Sequence, residues 1–170
     1  VVPSEQFARG ILVAVSLHRG EEADGAAVWR PDQLPGALVG AAPEHAGTLT
    51  RLRTALHEQQ LRVRDVGLLP EGEMHRRSAG RSPYDMARSG SQFDIEAVLA
   101  AAERASSMKA DNLSAVVADL ADADAAVRYW AAVGLIARGE AACRDNAAAL
   151  AKALDDPSPE VRMAAAEAVL

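Results

Sequence analysis

A nucleophile, an acid–base pair, a metal cage or a cluster of fixed charges each needs particular side chains, and this chain has few candidates. Cys143 is the one thiol among 170 residues. It cannot form an internal disulfide, and no Cys/His cluster has zinc spacing. An unpaired cysteine usually packs as a small hydrophobe, so Cys143 is expected to be an inert thiol at a helix–loop junction. His18, His45, His57 and His75 share no metal-ligand spacing and belong to no Ser/His/Asp or Cys/His arrangement. The pairs Asp122/Asp124 and Asp155/Asp156 carry charge suited to calcium, but the glycine and distal glutamate of a calcium loop are missing, so turn and cap chemistry is expected of them. Arg62, Arg64, Arg76, Arg77 and Arg81 form the one basic concentration, and guanidinium groups suit planar or tetrahedral oxyanions. Glu71, Glu73 and Asp85 stand among them, which points instead to a salt-bridged surface. Trp130, after Tyr129, reads as packing rather than as a binding platform. No catalytic, cofactor-binding or metal-binding residue is assigned.

Composition narrows the function classes further. A formal net charge of -6 and a pI near 5.2 do not suit a general nucleic-acid binder, which needs a basic stripe to displace counterions from phosphate. The longest apolar run, residues 11–17, is interrupted by Ser16 and falls far short of the roughly 20 residues that span a bilayer. The chain is 49% hydrophobic with only 4% aromatics, so its apolar residues are chiefly Ala, Leu and Val, which suit close helix packing. It opens Val1-Val2-Pro3 without a methionine or a basic leader, the look of an excised or processed piece whose export signal, if any, lies upstream.

The elements that position these residues are expected to be helical after an unlike start. Residues 1–42 are the least defined part. Ile11, Val13, Val15 and Leu17 fit a buried strand, and equally part of a helix beginning near Ser4. A turn over residues 20–25 would return residues 26–30 as the second strand of a short N-terminal β-hairpin, with a Pro/Gly connector over residues 31–43. From Pro43 the signals are helical. Leu49, Leu52 and Leu56 share a stripe, the stretch runs without Gly or Pro to Val66, and Gly67 is the expected stop. Pro70 opens a short helix to about Arg77, Ser82-Pro83 opens another through Met86, and Asp94 caps a helix with Ile95, Val98, Leu99 and Ala102 on its apolar face, ending near Ser106 and Ser107.

The strongest signal is internal. Residues 113–136 align with residues 147–170 at one offset of 34: Leu120 with Leu154, Asp122 with Asp156, Val127-Arg128 with Val161-Arg162, and Ala131-Ala132 with Ala165-Ala166. Each unit supplies a first helix, an acidic turn and a second helix opened by Asp124 in one unit and by Ser158 before Pro159 in the other. Neither helix pair covers its own apolar face, so the units must stack. The period, the turn aspartate and the Val-Arg resemble the HEAT-like repeat family. That resemblance implies that Asp122, Arg128, Asp156 and Arg162 tie neighbouring turns together as scaffold residues. Two repeats are fewer than a free-standing solenoid needs. The helices between Thr48 and Ser106 are expected to cover one side, and the second unit, stopping within its second helix at Leu170, suggests a further neighbour on the other. The expected fold is thus mainly α, an α–α superhelix: residues 43–107 form a helical segment and residues 108–170 carry the repeats.

A second resemblance covers the chain from about Pro43 onward. Residues 56–74, with Arg64-Asp65-Val66-Gly67 and Pro70-Glu71, then Gly80-Arg81-Ser82-Pro83-Tyr84, then Val127 to Ala132 (Val-Arg-Tyr-Trp-Ala-Ala), resemble the C-terminal region of bacterial sulfatases of the arylsulfatase type. Such enzymes cleave sulfate esters with a formylglycine made from a Cys/Ser-x-Pro-x-Arg motif and with a calcium ion. Cys143 lacks both the Pro and the Arg of that motif. The resemblance therefore implies a non-catalytic C-terminal segment whose partner is an upstream catalytic domain, with calcium and formylglycine belonging to that domain and none in this chain. It implies a periplasmic or extracellular site if the parent is exported, and a cytoplasmic one otherwise. The alternative is a stand-alone repeat scaffold that binds another protein.

Overall fold

The computed structural model describes residues 43–90 and 92–170, and the N-terminal hairpin reading lies outside them. Every regular element among the described residues is helical, in accord with the mainly α superhelix. Residues Arg64–Leu170 form one compact unit, and the long helix α1 (Ala46–Val63) belongs to another.

Helix α1 stops at Val63, three residues before the expected Val66. The residue that breaks it is Arg64, in left-handed backbone at φ 53. Gly67 keeps an ordinary φ and sits instead in a short 3-10 turn, Val66–Leu68, where its N–H donates to Asp65 Oδ1 at 2.9 Å. A non-glycine residue bears the left-handed turn because its side chain is held: Arg64 donates to the carbonyls of Ala87 and, at 2.7 Å, of Phe93. Three helices follow: α2 (Glu71–Arg77), α3 (Pro83–Arg88) and α4 (Ile95–Ser107). Ser82 and Asp94 cap as the sequence suggests, accepting from the Asp85 and Ala97 amides at 3.1 Å each. Pro70 stands one position before its expected place, as the cap of α2.

The repeat shows in the helix starts. Its first helices are α5 (Leu113–Asp119) and α8 (Ala147–Ala153), and its second helices are α6 (Ala125–Arg138) and α9 (Pro159–Val169). Both pairs start 34 residues apart. A short helix α7 (Glu140–Asp145), which the sequence reading did not anticipate, links the units and carries Cys143 inside it rather than at a helix–loop junction. Second helices stack on second helices: α6 packs against α4 on one side and α9 on the other. The core follows. Val116, Leu135, Cys143 and Leu150 bury together, with Leu113, Val117, Leu120 and Ala168 packed around them. Ala153, Val161 and Ala165 bury against Tyr129. Leu154, expected on the apolar face of the second unit, is exposed.

Helix α4 thus covers the face of α6 that two repeats would leave bare, and Gly134 lets it come close. A Cβ there would stand 3.0 Å from Ala105 Cα and 3.1 Å from a Val116 methyl. Among the described residues no helix is long and apolar enough to cross a membrane.

Candidate interaction surface

The turns between first and second helices carry a repeated set of charge-assisted bonds. Asp122 Oδ1 accepts the Asp124 N–H at 2.7 Å, and Asp156 Oδ1 accepts the Ser158 N–H at 2.8 Å. Arg128 Nη1 donates to the carbonyls of Asp122 and Ala123 at 2.8 and 3.0 Å; Arg162 Nη1 does the same to Asp156 and Pro157 at 2.6 and 3.1 Å. Among the described residues, the side-chain bonds that join the two repeats run from Arg128 Nε and Nη2 to Asp156 Oδ2 and Oδ1, at 2.7 and 2.9 Å. Of the four expected tie residues, Arg128 and Asp156 therefore join neighbouring units, while Asp122 and Arg162 organise their own turns. Burial works against the ionised Asp156, but the Arg128 guanidinium and the Ser158 amide hold its carboxyl below the usual carboxylate range.

The caps of the two second helices differ. Asp124 accepts the Ala126 N–H at 2.8 Å. Ser158 makes no side-chain cap; its hydroxyl donates to Glu160 Oε2 at 2.9 Å, and Asp156 serves the turn in its place.

Helix α2 fastens both second-helix N-termini from outside the repeats. Arg77 grips the Asp124 carboxylate with both terminal nitrogens, Nη1 at 3.0 Å from Oδ2, and its Nε meets Glu73 at 2.8 Å. Arg76 pairs with Glu73 at 2.6 Å and with Glu160 in the first turn of α9. That hydrogen bond from Arg76 pulls the Glu160 carboxyl down to about 2. Burial opposes ionisation of Asp124, yet its bonds from Arg77 and the Ala126 amide hold it low as well.

The basic concentration consequently does not converge on an anion site. Arg64 is spent on two carbonyls, Arg76 and Arg77 on carboxylates, and Arg81 on the Ser89 hydroxyl at 2.7 Å. Arg62, on α1, pairs with Gln59. His75 lies 3.6 Å from Glu71 on the surface of α2. Among the described residues no group of three or more His, Cys, Asp or Glu side chains comes together to hold a metal. Cys143 is buried, which pushes its thiol pKa up and away from nucleophilic use.

Two contacts escaped the sequence reading. Trp130 packs edge-on against Tyr129, with centroids 5.8 Å apart, and its indole N–H donates to the Leu68 carbonyl at 2.8 Å. Arg138 closes the far end of α4 and α6 by donating to the carbonyls of Arg104, Ala105 and Gly134 and to Asn112 Oδ1 at 2.6–3.2 Å. An arginine in a last helical turn before glycine was the available signal. The Trp130 contact, between residues 62 positions apart, had none.

Between α5 and α8, Val117, Leu120, Ala121, Ala148, Ala149 and Lys152 line an open, largely apolar groove of about 450 Å³ with Asp156 at its edge. The described residues thus form stacked helical hairpins with an open groove, an architecture suited to protein contacts. A HEAT-repeat family model matches residues 147–170, which are α8, the acidic turn and α9. No curated protein and no solved structure matches the chain.

Proposed function

We propose that this chain is a non-catalytic helical module that packs on, and mediates contacts for, the catalytic domain of a sulfatase-like protein. The observation that carries the reading is the bond from Trp130 to the Leu68 carbonyl. It couples the two stretches on which the resemblance rests, Arg-Asp-x-Gly-Leu-Leu-Pro-Glu and Val-Arg-Tyr-Trp-Ala-Ala, within one compact unit. Arg64 and Arg77 likewise spend their guanidinium groups on scaffold atoms, Arg64 on the Ala87 and Phe93 carbonyls and Arg77 on Asp124. Residues that make a motif for such reasons serve a fixed shape, which suits a domain-packing role better than substrate chemistry. Calcium and formylglycine then belong to the parent's catalytic domain.

The reading frame upstream of Val1 tests this directly. A Cys/Ser-x-Pro-x-Arg motif a few hundred residues before Val1 is the expected result, and a start codon close to Val1 would refute it. Aryl sulfate hydrolysis by the isolated chain above a heat-killed control would refute it too. The HEAT-repeat match favours a second reading, a free-standing scaffold that binds protein along its stacked helices; the start codon is the outcome that selects it.

A further inference from the structure

A line of alternating charges runs from the first repeat to the second by way of α2. Arg77 grips Asp124 at the cap of α6, and its Nε donates to Glu73 Oε1 at 2.8 Å. Glu73 Oε2 accepts from Arg76 at 2.6 Å. Arg76 then closes on both oxygens of Glu160 in the first turn of α9, with Nη1 at 3.1 Å from Oε1. The two ends of the line differ. At the first repeat Arg77 is 12% exposed and Asp124 22%, which shields their pairing from salt. At the second repeat Arg76 is 45% exposed, and a pair so open to water is weak and easily screened. Gly72 belongs to the same contact. Alanine suits a helix better, yet a Cβ at residue 72 would stand 2.0 Å from Glu160 Oε1. The glycine thus makes room for the carboxylate against α2, while the Ser158 hydroxyl holds it at 2.9 Å. Arg76 is oriented by Glu73 and Glu160 by Ser158, so little side-chain freedom is lost when they meet.

We propose that α2 is a strap across the two repeats, pinned to the first through Arg77 and Asp124 and latched to the second through Arg76 and Glu160, with the outer latch as the part that opens. While it is closed, α8 and α9 open together with the first repeat. Once it is released, they open on their own. The packing of α6 on α9 and the bonds from Arg128 to Asp156 keep the repeats joined, so release loosens the second repeat without detaching it. The groove between α5 and α8 feels the change, because Asp156 at its edge lies in the turn that leads into Glu160.

Amide hydrogen exchange of the whole chain tests the strap. Arg76→Gln is expected to quicken exchange about two- to fivefold over residues 147–169 together, the range set by a partly exposed pair, while residues 113–138 keep their rates. Gly72→Ala keeps every charge and favours the helix, yet should do the same, because its Cβ displaces the Glu160 carboxylate. Raising NaCl from about 0.05 M to about 1 M should quicken the same residues in the unaltered chain and leave them unmoved in Arg76→Gln. Unchanged or slower exchange in either variant would overturn the strap. So would an effect confined to the first turn of α9, the mark of a local pair, or equal quickening of both repeats, the mark of a general loss of stability.

Discussion

Asp156→Ala strikes a side chain that serves both its own turn and the neighbouring repeat. The carboxylate is 8% exposed and its partner Arg128 13%, so both charges are largely out of water. Removing one member of a fully buried pair costs about 3–5 kcal/mol, because the other charge is left uncompensated. Arg128 keeps two carbonyl acceptors and some solvent, which places this pair near the lower end, at about 2–3 kcal/mol. Loss of the acceptor for the Ser158 amide adds about 0.5–1 kcal/mol, as for a lost helix cap. The sum of about 3 kcal/mol corresponds to a fall in Tm of about 10 °C for a chain of this size. Urea and thermal unfolding followed by circular dichroism would measure it, and a double-mutant cycle with Arg128→Met should return a coupling of about 2 kcal/mol. The sign with pH is fixed by the depressed Asp156 pKa: as pH falls the unfolded chain takes up the proton first. The coupling is therefore full above the ordinary carboxylate range and fades as pH drops through the lower folded value. A cost below about 1 kcal/mol, the range of an exposed pair, or a coupling unchanged by acid, would refute this account.

Three further outcomes are expected. Trp130→Phe keeps an aromatic ring but loses the pyrrole half of the indole and with it the donor to the Leu68 carbonyl, and should cost at least about 1–1.5 kcal/mol in unfolding and speed amide exchange over residues 65–69. Met108 ends α4 in left-handed backbone at φ 56 and is half exposed, so Met108→Gly should stabilise by about 0.5–1 kcal/mol; a loss in Tm would show that the Met side chain matters more than the backbone. Gly134→Val pushes branched bulk into a contact where even a Cβ stands 3.0 Å from the Ala105 backbone, and should destabilise by about 2–3 kcal/mol, against a neutral result if α4 can slide away.

Much of the scaffold is legible in the residues because it depends on local chemistry. Caps at Ser82, Asp94 and Asp124 announce helix starts through side-chain acceptors near free amides. The offset of 34 residues reproduces helix starts at residues 113 and 147, and at 125 and 159, because the same Asp and Arg bonds organise the turn before each second helix, although the caps themselves differ. The Arg128 and Asp156 pairing could be expected once the units were known to stack, since register then brings the two turns together. Helix α7 was not legible, its short Ala-rich run lacking periodic apolar residues.

By itself, then, the sequence determined the helical class and the repeat, both of which follow from residue types at fixed spacing. Only the tertiary structure decided where the arginines spend their charge. Arg64 looked like part of a basic cluster and is a clamp on two carbonyls; Arg77 looked like surface and holds the N-terminus of α6; Trp130 ties α6 to Leu68. A long side chain finds its partner through packing that brings distant segments within about 3 Å, and no local spacing encodes that distance.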